Sequence, residues 1–156
     1  RLEILDRRGI RLSDIQAVIA TLPPLDGARA FLDELRSRAQ VIILSDTFEQ
    51  FAQPLIRQLN WPALFCHRLV VENDRITGYR LRMPDQKRHS VLALKSLNYR
   101  VVAAGDSFND TTMLGAADHG ILFHAPANIV KQFPQFPAVN EYDELLGLIR
   151  QRLAAE

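Results

Sequence analysis

Cysteine is almost missing from this chain: Cys66 stands alone, so no internal disulfide can form, and a reducing, cytoplasmic setting is the expectation. No apolar run approaches the length of a membrane span. No charge of one sign predominates either. Nineteen basic residues face eighteen acidic ones, for a formal net charge of +1, and the two signs are interspersed. A stripe that could follow a phosphate backbone is therefore lacking, which argues against nucleic acid as a partner. Histidine is scarce, and His67, His89, His119 and His124 fall at no ligand spacing. Cys66 and His67, adjacent on a strand, cannot easily face one ion, which argues against zinc.

The beginning also lacks something. There is no initial methionine and no signal-peptide pattern, and Arg1-Leu-Glu-Ile-Leu-Asp-Arg-Arg8 reads as a helix entered midway. The expectation is a chain truncated upstream.

What is present suits one sizeable core with a small appendage: 156 residues, 47% of them hydrophobic. Gly9 stops the first helix, and Ser13 with Gln16 three residues on predicts a capping box opening the periodic stretch Ile15, Val18, Ile19, Leu22. Pro23-Pro24 ends it. A third helical pattern (Ala30, Phe31, Leu35) leads into Val41-Ile-Ile-Leu44, an aliphatic run of the kind buried on both faces in a parallel sheet. Residues 48–59 read as a helix with Pro54 early in it. Two alternating runs, 68–72 and 75–81, flank the turn-former Asn73-Asp74 and predict a hairpin.

Residues 86–98 are amphipathic, with Val91, Leu92, Ala93, Leu94 and Leu97 expected inward, and they feed a second buried strand over 99–104 that ends at Gly105. A short helix (111–117), a strand (120–123), a helix near Ile129 and a last helix (142–153) follow. Phe133-Pro-Gln-Phe-Pro137 reads as a rigid connection into the last strand rather than a docking motif.

The alternation predicts an α/β fold, a doubly wound parallel (Rossmann-like) sheet with its crevice at the carboxyl ends of the strands. Residues 1–25 are expected to be the remnant of a small helical cap, and 26–156 the α/β core with its hairpin near 68–82.

Polar clusters stand at two strand ends: Leu44-Ser45-Asp46-Thr47 and Ala104-Gly105-Asp106-Ser107-Phe108-Asn109-Asp110. A serine followed by exposed N–H groups can hold phosphate oxygens, and two carboxylates four residues apart can bind magnesium directly or through water. Gly105 would let the backbone bend tightly there. Lys87, at the start of the helix after the hairpin, could neutralise a phosphoryl group as charge moves onto its leaving oxygen, with Arg88 and Lys95 as rivals. Each has a structural alternative: Ser45 as a strand cap, Asp110 as the N-cap of the next helix.

The Ile42-Ile-Leu-Ser45 strand end, the Lys87-Arg88 helix start and the Gly105-Asp-Ser-Phe-Asn-Asp110 loop resemble the second, third and fourth motifs of the haloacid dehalogenase superfamily. Val41-Ile-Ile-Leu-Ser-Asp-Thr-Phe48, Ala103-Ala-Gly-Asp-Ser-Phe-Asn-Asp-Thr-Thr-Met-Leu114 and Gly120-Ile-Leu-Phe-His-Ala-Pro126 are similar to its phosphoserine phosphatases, including those that also transfer phosphate to homoserine. The resemblance implies Mg2+ as cofactor, phosphoserine and homoserine as small-molecule partners, and a doubly wound sheet with a small helical cap. It implies Lys87 as catalytic cation, and Ser45, Asp46, Asn109 and Arg1 as substrate-binding, Arg1 on the substrate carboxylate. Asp106 and Asp110 are implied at the metal.

The family's first motif, a strand ending Asp-x-Asp or Asp-x-Glu, is not found in the sequence. It would supply the nucleophile and the acid/base, and its strand would lie centrally, between those ending at Ser45 and Gly105. The chain alone is then expected to be inactive and poorly stable. A non-catalytic interaction module is the alternative. A receiver-like phosphoacceptor domain fits less well, because there the lysine follows the acidic pair, whereas Lys87 precedes Asp106.

Overall fold

The computed structural model describes residues 8–154. They form an α/β fold that divides into two compact units between Pro84 and Asp85.

The first unit runs α1 (Leu12–Ala20), α2 (Ala28–Arg36), β1 (Ile42–Phe48), α3 (Glu49–Gln58), β2 (Ala63–Glu72) and β3 (Arg75–Arg80). β1 pairs parallel with β2, and β2 pairs antiparallel with β3 across Asn73 and Asp74, both at positive φ as a tight primed turn requires. Leu12 of α1 is buried with Leu69 and Ile76 of the hairpin, and Ile15, Phe48, Phe51 and Val71 pack around them.

The capping box expected from Ser13 and Gln16 does not form. Arg11 holds the N-cap position, its backbone N–H donating to Asp14 at 2.9 Å. Ser13 instead reaches the hairpin turn: its N–H donates to Asp74 Oδ1 at 3.0 Å and its hydroxyl to Oδ2. Gln16 also works at a distance. Pro54, inside α3, brings no N–H to the Gln50 carbonyl one turn earlier, and Gln16 Nε2 donates to that carbonyl at 2.8 Å.

The second unit runs α4 (Gln86–Ser96), β4 (Val102–Gly105), a 3-10 turn (Phe108–Asp110), α5 (Thr111–Ala116), β5 (His119–Phe123), α6 (Ala127–Gln132), β6 (Ala138–Val139) and α7 (Tyr142–Ala154). Its sheet is parallel throughout, in the order β4-β5-β6. The core lies on β5, where Ile121 and Leu122 are fully enclosed with Leu114 of α5 and Leu145 of α7. Each such side chain contributes about 1.5–3 kcal/mol by leaving water.

Two expectations about burial are corrected. Ile42, Ile43 and Leu44 are half-buried and Ala104 is exposed, not enclosed on both faces. Among the described residues β1 has only β2 as a strand neighbour and β4 only β5, so each stands at a sheet edge. On α4, Val91 is buried, but Leu92 and Leu97 are 38% and 68% exposed and Ala93 is also exposed. Asn98, at positive φ, ends that helix as Tyr99 N–H returns to the Leu94 carbonyl, and this turns Leu97 outward.

Candidate active site

The sequence-predicted residues fall in both units. Ser45 and Asp46 belong to the first, and Lys87, Asp106, Asn109 and Asp110 to the second. Arg1 lies outside the described residues.

In the second unit, chemistry gathers at the carboxyl end of β4. The chain leaves Gly105 through Asp106 and Ser107 into the 3-10 turn, which brings the Asp110 side chain back beneath the loop. Asp110 is 6% exposed. Its Oδ2 accepts the N–H of Asp106 (3.2 Å), the N–H of Ser107 (3.1 Å) and the Ser107 hydroxyl (2.9 Å), while Oδ1 accepts Lys87 Nζ at 2.8 Å. Lys87 comes from the first turn of α4, whose start is tied to α5 by the Thr112 hydroxyl donating to Asp85 at 2.8 Å.

Lys87, not its rivals, meets this loop. Lys95 is engaged with Asp118 at 2.7 Å and with the Ala116 carbonyl, and Arg88 is exposed. Asp110 precedes α5, but with helical φ and ψ; its carboxylate is spent on Lys87 and the Ser107 loop rather than on capping that helix. Gly105 has a reason different from the expected bend. A Cβ there would stand 2.6 Å from Asp110 Cβ, so the absent side chain is what lets Asp110 fold under the strand end. Ser107 escapes the motif reading above, although its three-residue spacing to Asp110 is a capping-box signal.

Burial pushes the Asp110 carboxyl up, but the Lys87 hydrogen bond, its charge and the two Ser107 hydrogen bonds outweigh it and hold the group below its ordinary value of 3.8. A carboxylate depressed on folding stabilises above its unfolded value, and that contribution is lost as pH falls through the folded one. The stability difference between the intact protein and its Asp110→Asn variant is therefore expected to shrink as pH is lowered below 3.8. Urea unfolding across the acid range checks this.

In the first unit, Ser45 and Asp46 lie within β1 rather than after it. Between the pairs Leu44–Phe65 and Phe48–His67, β1 advances four residues while β2 advances two, so the site residues occupy an irregular stretch. The Ser45 hydroxyl accepts the Thr47 N–H at 3.2 Å. Asp46 is exposed, with His67 Nε2 3.9 Å from its Oδ1. Asn109 is exposed on the 3-10 turn of the second unit.

As to magnesium, Asp106 offers an exposed carboxylate of the hard-oxygen kind that ion takes. Asp110 differs, since both its oxygens already accept hydrogen bonds. Among the described residues no group of three His, Cys, Asp or Glu side chains could hold a metal ion, so Asp106 fits as one ligand of an incomplete set.

Known proteins bear on this arrangement. The chain is 65% identical over 146 residues to a phosphoserine phosphatase of Pseudomonas syringae, covering 93% of this chain and 62% of that protein. It is 62% identical over 146 residues to phosphoserine phosphatase ThrH of Pseudomonas aeruginosa, covering 93% and 71%. It thus spans less than two thirds of the length of the first of these relatives. Among solved structures, a phosphoserine phosphatase in the form of a phospho-aspartyl intermediate analogue superposes with a TM-score of 0.73 at 22% identity, covering 89% of this chain and 70% of that one. This last likeness speaks for the fold. The family model described as haloacid dehalogenase-like hydrolase matches residues 2–118, and the chain belongs to that family of hydrolases.

Proposed function

We propose that this chain is the greater part of a magnesium-dependent phosphatase acting on phosphoserine. The observation that carries the reading is the buried Lys87–Asp110 pair, at 2.8 Å, under a loop at the carboxyl end of a parallel strand. An ammonium held there by a carboxylate is fixed before substrate arrives, and preorganised charge is what phosphoryl transfer uses most. The names of the Pseudomonas relatives support phosphoserine as the substrate.

In this reading Lys87 balances charge on the phosphoryl oxygens, and the Ser45 hydroxyl donates to one of them. Asn109 and Asp46 contact the rest of the substrate, with Arg1 on its carboxylate. Asp106 holds magnesium, which would polarise the phosphoryl group when bound. Asp110 supports the metal side of the site indirectly, by keeping Lys87 and the Asp106 backbone in place. The attacking carboxylate and the acid/base are assigned to a segment outside these 156 residues, because the sequence offers no strand ending Asp-x-Asp. Residues 1–25 belong to a helical cap and 26–156 to the core. The enzyme works in the cytoplasm on small molecules, and homoserine in place of water would make it a phosphotransferase. The test is phosphate release from phosphoserine by the intact protein, with and without magnesium, beside the same protein carrying Asp106→Asn.

A further inference from the structure

We propose that His67 is a positioning residue: it sets the orientation in which Asp46 receives the ammonium group of an amino-acid phosphate. The inference rests on the reading above that Asp46 contacts substrate.

His67 lies in β2 and is buried. The backbone N–H of Arg82 donates to its Nδ1 at 3.1 Å. A ring nitrogen that accepts a hydrogen bond carries no proton, so the neutral imidazole holds its one proton on Nε2. That Nε2 is the atom 3.9 Å from Asp46 Oδ1. The ring is further held beside Phe48, its register partner on β1, with centroids 6.2 Å apart.

Asp46 is its opposite in exposure. Its side chain is 50% exposed and it stands in the stretch of β1 where the register with β2 breaks. A buried N–H donor thus faces an exposed carboxylate. The present 3.9 Å is longer than a hydrogen bond, and a rotation of the exposed side chain or one bridging water closes it. An anionic side chain near the phosphoryl end repels phosphate, so it serves a substrate through a cation, and an amino-acid phosphate carries one. Holding the carboxylate in a single direction matters for that contact and not for the phosphoryl chemistry.

The test uses the intact protein and two replacements of the imidazole. His67→Asn keeps an acceptor for the Arg82 N–H and loses the donor toward Asp46; His67→Gln places an amide N–H near the Nε2 position. With phosphoserine, His67→Asn is expected to raise KM about tenfold, the scale of one charge-assisted hydrogen bond, with kcat little changed. His67→Gln should recover most of the loss. With p-nitrophenyl phosphate, which has no ammonium, neither variant should move KM, and in an Asp46→Asn background His67→Asn should add nothing. An equal rise on both substrates, or additivity with Asp46→Asn, overturns the proposal. Imidazole 15N spectra of the unaltered histidine test the pairing without turnover. The Nε2-protonated tautomer should appear, and its Nε2 shift should move in Asp46→Asn; an unmoved shift refutes the pairing. An intact protein silent toward phosphoserine refutes the functional reading instead, leaving the spectra to decide the contact.

Discussion

Replacing Lys87 by methionine is expected to lower kcat/KM of the intact protein for phosphoserine by about 100- to 1000-fold, with the loss mainly in kcat. Methionine keeps the length of the stem and removes the charge. The Lys87 side chain is 13% exposed and its Nζ lies 2.8 Å from Asp110, so water cannot take its place cheaply. Its contribution grows as charge moves onto the phosphoryl oxygens, which places the effect in the transition state rather than in substrate binding. Steady-state kinetics below the melting temperature of the variant separate this from lost folding. A variant that keeps kcat and loses only KM would reassign Lys87 to ground-state binding.

The second large effect is on stability. Asp110→Ala strips an acceptor from Lys87, from the Asp106 and Ser107 N–H groups and from the Ser107 hydroxyl. Removing one member of a buried pair leaves its partner uncompensated, at a cost of roughly 3–5 kcal/mol. Urea unfolding of the Asp110→Ala variant should therefore show a much lower midpoint than the parent at an unchanged slope. A loss of stability below about 1 kcal/mol, the scale of an exposed pair, would mean the loop holds itself together without Asp110.

How far the sequence could be read depended on whether a residue's partner was near in the chain or on a regular element. Gly105 to Asp110 was legible because an aliphatic run, a glycine and a polar loop are local signals, and Lys87 because it opens an amphipathic helix. Ser13 is a case of the opposite kind: its spacing to Gln16 suits a capping box, yet Asp74 on the hairpin turn competes for it, and that distant contact decides. Leu92 and Leu97 have the hydrophobicity of core positions, but the helix ends in a left-handed residue that turns the last of them outward. The half-exposed Ile42 to Leu44 follow from the sheet's edge, which residue type does not report. For His67 the sequence poses only the question of a metal ligand, because its tautomer depends on a backbone N–H from Arg82, beyond the end of β3.

The most direct test of the account is magnesium-dependent phosphate release from phosphoserine by the intact protein and by its Asp106→Asn variant. Release that requires magnesium in the parent and falls to background in the variant, while both melt as folded proteins, is the predicted result. A variant that retains magnesium-dependent turnover would contradict the assignment of Asp106, and a folded parent with no turnover would contradict the proposed function itself.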